Sequence, residues 1–140
     1  MNSEKAIGPL LIGSLVLFAA AAFLPAYKSD TGWDCARVCV ESIGFLGSIK
    51  WPWGYYHFAF NFSNLFMVSI PAFYLFKRNR RVPLFLPLIQ LLLILHVISW
   101  PILNFERITD IRIGYYSWLL SMLLVFIAIW KKRNYQMGKI

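Results

Sequence analysis

The chain has 140 residues, 59% of them hydrophobic and only 14% charged, with a formal net charge of +8. A soluble domain carries about 45–50% apolar and about 25% charged residues, so a water-soluble globule is excluded. The pI of 9.8 does not point to nucleic acid either, because the basic residues flank long apolar runs rather than forming a stripe.

Those runs come in chain order at residues 7–27, 54–76, 82–103 and 113–130. Each is close to the ~20 residues that a helix needs to cross a bilayer. Backbone groups in hydrocarbon must be satisfied internally, which predicts helices rather than strands. The expected fold is all-α, one membrane-embedded four-helix bundle over residues 1–140. The first run has a short charged start and an alanine stretch, Ala19 to Ala22, that imitate a signal peptide. It is expected to stay as a span. No lipobox precedes Cys35.

Charge sets the expected orientation. Lys77, Arg78, Arg80 and Arg81 follow the second run, and Lys131, Lys132, Arg133 and Lys139 follow the fourth. Elsewhere Lys and Arg are balanced by Asp and Glu. Lys and Arg in alternate segments predict a positive-inside topology with both termini cytoplasmic. Tyr27, Trp33, Trp51, Trp53, Trp100, Tyr115 and Trp118 would then form a belt at the outer interface.

Between the first two runs, Cys35, Val38, Cys39, Ile43 and Leu46 share one helical face, with Arg37 and Glu41 opposite at i, i+4. This predicts a short amphipathic helix on the outer surface, N-capped by Asp34 and starting at Cys35. Trp51-Pro52-Trp53-Gly54 would turn the chain into the second span. On a helix the C-x3-C pair Cys35 and Cys39 lies at the limit of disulfide reach. A disulfide, inert thiols, and redox or metal chemistry all remain open.

His57, Asn61 and Asn64, spaced i, i+4, i+7, fall on one face of the second span and should point inward. His96 in the third span could sit at similar depth. Hydrogen bonding between helices accounts for such a cluster. A channel or transport path in an oligomer, or haem, quinone or metal ligation by the two histidines, are the alternatives. Gln90 lies six residues from His96, on a different face. Pro71 should kink the second span. For packing, Gly8, Leu15, Ala19, Ala22 and Ala26 of the first span, and Gly114, Ser117, Ser121 and Ala128 of the fourth, offer close-approach surfaces, within the monomer or in a homo-oligomer.

Gly32-Trp33-Asp34-Cys35 after Leu24-Pro25-Ala26-Tyr27, and Ile113-Gly114-Tyr115-Tyr116-Ser117-Trp118-Leu119-Leu120-Ser121, give the chain a familiar layout. It resembles small four-span proteins of bacterial inner membranes that generally have no assigned function. Similar layouts occur in membrane subunits of anti-phage systems such as Kiwa and in immunity proteins against pore-forming bacteriocins. The resemblance implies a membrane anchor or sensor in an assembly, with a defence role as one setting.

No nucleophile with its base, phosphate-binding glycine loop or paired carboxylates is present. The expectation is a non-enzymatic subunit without cofactor. Lys77, Arg78, Arg80, Arg81, Lys131, Lys132 and Arg133 would present one cationic face to anionic headgroups or to a cytosolic protein.

Overall fold

The structure is a computed structural model. It describes the backbone of residues 3–44, 53–77 and 80–138, and side chains over 6–41, 58–77 and 80–138. The expected turn at Trp51 and Pro52 lies outside the described residues.

Five α-helices dominate: α1 (Ser3–Phe23), α2 (Gly32–Gly44), α3 (Trp53–Phe76), α4 (Phe85–Leu103) and α5 (Ile113–Met137). Four of them carry stretches long and apolar enough to cross a membrane: Ala6–Phe23, Phe58–Phe76, Phe85–Leu103 and Ile113–Met137. The chain is therefore a multi-pass membrane protein by its architecture. α1 packs on α5, α5 on α4, α4 on α3 and α3 back on α1, which closes a ring of four in which the α1–α5 pair is the most extensive.

Among the residues that α1 buries or half-buries are Ile7, Leu11, Ser14, Phe18 and Ala21, and among those of α5 are Gly114, Trp118, Ser121, Val125, Ala128 and Lys132. Both series step by four and three, the spacing of a coiled-coil seam. Gly114 abuts the Leu24 and Pro25 carbonyls, so the two helices run antiparallel. The start of α1 and the end of α5 therefore share one end of the bundle, the basic end. Gly114, Ser121 and Ala128 behave as expected. On α1 the seam differs from the expected stripe, because Ala19 is exposed while Leu11 and Ser14 are buried.

The span boundaries move. α1 stops at Phe23 rather than Tyr27, because Leu24 precedes Pro25 and a residue before proline is driven out of helical geometry. It also begins at Ser3, which puts Pro9 inside the helix. Val82, Pro83 and Leu84 precede α4, and α5 continues past Trp130 to Met137. α3 passes through Pro71 without interruption, with the proline ring fully buried.

The fold is also not purely helical. Pro25–Tyr27 (β1) and Asp30–Thr31 (β2) form an antiparallel hairpin, turned at Lys28 with a φ of 51°. The other edge of β1 pairs with the segment before α5: Lys28 N donates to Asp110 O at 2.7 Å and Arg112 N donates to Ala26 O at 3.0 Å. A short 3-10 helix, Phe105–Asp110, leads into that segment from α4. Tyr27 adds an edge-on contact with Trp100, ring centroids 5.4 Å apart. This clasp ties the α1–α2 junction to the α4–α5 junction.

α2 begins earlier than expected, and Thr31 rather than Asp34 is its N-cap. Asp34 N donates to Thr31 Oγ1 at 3.3 Å, and Thr31 N donates back to Asp34 Oδ2 at 3.0 Å. This reciprocal capping box satisfies two donors at once, which a lone Asp34 cap could not. Its hydrogen bonds from Thr31 hold the Asp34 carboxyl below the usual carboxylate range. Stability from this contact is complete above the ordinary value near ~4 and is lost as pH falls through the depressed one. Amide exchange at the start of α2 is expected to accelerate in acid, and Asp34→Ala is expected to remove that pH dependence.

Candidate functional site

Two polar regions interrupt the apolar bundle, one at its centre and one at the basic end. The expected intramembrane cluster does not form a single constellation. Asn61 Nδ2 donates to Cys39 O at 2.8 Å, binding α3 to α2. Asn64 is half-buried. His96 packs against Phe60 at 4.7 Å between ring centroids, and Phe60 in turn lies 5.6 Å from Trp118. Ser99 Oγ donates to the His96 carbonyl at 2.6 Å. The side chain of His57 lies outside the described residues. Among the described residues, no group of three or more His, Cys, Asp or Glu is placed to hold a metal.

The centre is instead occupied by Gln90, which is fully buried. Its Nε2 donates to Met122 O at 3.2 Å and lies 3.8 Å from Met67 Sδ. One amide thus touches α3 and α5 from α4. Its Oε1 accepts no hydrogen bond, and the buried Ser63 Oγ on α3 makes none either. The expected difference in face between Gln90 and His96 does not reveal that Gln90 occupies the core. The only available signal was a single amide inside an otherwise uninterrupted Leu and Ile run.

Cys35 and Cys39 are both half-buried thiols with no disulfide between them. Burial pushes the Cys39 thiol up to about 11, and burial together with Asp30 and Asp34 raises that of Cys35. Both are therefore protonated near neutrality and poor nucleophiles. Arg37 and Glu41 form the expected i, i+4 ion pair at 2.7 Å on the exposed face of α2.

At the basic end, about two helical turns of α5 extend beyond Trp130. Gln136 on that extension holds the α3–α4 connection at two points. Its Oε1 accepts from Val82 N at 2.9 Å and its Nε2 donates to Arg80 O at 3.0 Å. Tyr74 Oη donates to Arg81 O at 3.4 Å. These bonds bring the two basic segments of the sequence onto one surface. Lys77, Arg80, Arg81 and Lys131 are exposed and Arg133 half-exposed. Arg133 lies 5.9 Å from the centre of the Trp130 ring. Lys132 departs from the expectation. It is only 8% exposed, with Nζ 5.5 Å from the Tyr74 ring centre, so it braces α5 against α3 instead of facing a partner. Arg78 lies outside the described residues.

No protein-family model, curated protein or solved structure matches this chain.

Proposed function

We propose that the chain is a non-enzymatic anchor of the bacterial cytoplasmic membrane that holds an acidic cytosolic protein against its basic end. Both termini and the Lys77–Leu84 connection face the cytoplasm, α2 and the hairpin clasp face outward, and the four apolar helices fix the protein in the bilayer. The observation that carries this reading is the pair of Gln136 hydrogen bonds to Arg80 and Val82. They join two basic segments, distant in sequence, into one tied surface. Separate mobile tails would suffice for membrane insertion alone, whereas a fixed arrangement of Lys77, Lys131 and Arg133 favours recognition of a matching acidic surface.

Two measurements test it. In a Cys35→Ser/Cys39→Ser background, Asn134→Cys is expected to react with an impermeant maleimide only after spheroplasts are opened. Thr109→Cys is expected to react in intact spheroplasts, and the reverse pattern overturns the orientation. A photoreactive phenylalanine at position 131 is expected to crosslink a soluble protein in cells, and one at position 105 is not. Lys77→Glu with Arg133→Glu is expected to abolish the adduct. If position 131 yields none, or if charge reversal leaves the yield unchanged, the anchor reading fails.

A further inference from the structure

Between α3 and the start of α4, at the basic end, lies a cleft of about 350 Å³. Phe66, Ile70, Phe73 and Leu86 give it apolar walls, and Arg80 and Arg81 are the charged residues of its lining. This volume falls within the ~300–1,000 Å³ of small-molecule sites. No acidic residue lines it. Among the described residues neither arginine has an ion-pair partner, so two guanidinium groups stand exposed above an apolar slot. Their backbone is not free to wander, because Gln136 and Tyr74 bind the carbonyls of Arg80 and Arg81. The surrounding surface is also apolar: Phe73 is 49% and Phe76 87% exposed, as befits side chains facing acyl chains.

We propose that this cleft binds one anionic phospholipid. Its phosphate lies on Arg80 and Arg81, and one acyl chain lies along Phe66, Ile70 and Phe73. Guanidinium groups pair with phosphate oxygens through two parallel N–H bonds, and basic pockets between spanning helices at the membrane surface suit such headgroups. A free small anion would use the arginines and leave the apolar walls without a role. An apolar ligand would leave two arginines unmatched. The lipid alone satisfies both parts of the cleft. This site rests on the reading that the basic end sits at the bilayer surface, which the Asn134→Cys labelling decides separately. It uses Arg80 and Arg81, whereas the protein partner is assigned to Lys77, Lys131 and Arg133.

The test uses the delipidated full chain in neutral detergent, titrated with palmitoyl-oleoyl-phosphatidylglycerol and read by native mass spectrometry. One lipid is expected to be retained at concentrations where phosphatidylcholine is not. Arg80→Gln with Arg81→Gln is expected to weaken retention about 30-fold, equivalent to roughly 2 kcal/mol for two cations near the headgroup. Phe73→Ser is expected to weaken it as well, and Arg107→Gln, at the other end of the bundle, is expected to leave it unchanged. Because Arg80, Arg81 and Phe73 are exposed, these variants keep the fold. Equal retention of phosphatidylcholine, or unchanged retention in the double variant, overturns the proposal. Displacement by inorganic phosphate would make this a small-anion site, and displacement by polyglutamate would make it a protein-docking site. Either result overturns the lipid assignment.

Discussion

Gly114→Val is expected to destabilise the detergent-solubilised protein by about 3 kcal/mol or more, at the upper end for overpacked sites. A Cβ at this position would lie 2.7 Å from Leu24 O and 2.8 Å from Pro25 O. Both are backbone atoms held within the clasp, one of them accepting from Gly32 N at 3.0 Å. They cannot move aside as a side-chain tip could. Relief would require α5 to separate from the end of α1, opening the most extensive helix pair in the bundle. Gly32 makes the matching approach from α2, where a Cβ would collide with the Ala21 carbonyl oxygen, so Gly32→Ala is expected to act in the same direction. Gly8 is the control. A Cβ there meets nothing within 4 Å, and Gly8→Ala is expected to be neutral or stabilising by up to ~1 kcal/mol. Thermal unfolding in one detergent, followed by tryptophan fluorescence, checks all three. Comparable midpoints for Gly114→Val and Gly8→Ala would show that the clasp contributes nothing to stability.

The spans were legible because each is an apolar run of membrane length bounded by charge or proline. The helix α2 was legible in part: Arg37 and Glu41 mark its polar side, but Val38, expected on one face with Cys35 and Cys39, is exposed while they are half-buried. The seam of α1 was not. That helix is apolar all round, so no polar side exists from which to infer the buried one. Small residues alone could not choose between the Ala19 stripe and the Ser14 stripe. The clasp was hidden for another reason. Its pairing joins Tyr27 to Ile111, and each segment contributes too few residues to display the two-residue period of a strand. At the basic end the charges were plain, but their joining was not. Gln136 reads as an ordinary polar residue of a tail until α5 is seen to remain helical as far as Met137.

The polar cluster shows how a face on one helix can mislead. His57, Asn61 and Asn64 share an arc of α3, but an arc does not determine what lies opposite it. Asn61 meets the carbonyl of Cys39 on α2, so its amide binds one helix to another. In the membrane such a bond contributes roughly 0.6–2 kcal/mol. Gln90, which belongs to no polar face of α4, sits instead where it touches α3 and α5.

Gln90→Ala is expected to cost about 3 kcal/mol, within the range for large-to-small changes at fully buried sites. Met67 and Met122, which Gln90 touches, are themselves fully buried, and a side chain removed from between them leaves a void. Gln90→Leu separates that packing effect from the polar one. Leucine restores most of the volume. It forfeits the bond to Met122 O, worth ~0.6 to 2 kcal/mol, but it also removes Oε1, which is buried without a hydrogen bond at a cost of about 1–3 kcal/mol. These opposed effects leave Gln90→Leu within ~1 kcal/mol of the unmodified protein. Denaturant unfolding of the three proteins in the same micelle measures both differences. If Gln90→Leu falls as far as Gln90→Ala, the amide rather than its volume holds α3, α4 and α5 together. If it matches the unmodified protein, packing does so, and the glutamine is retained for something other than stability.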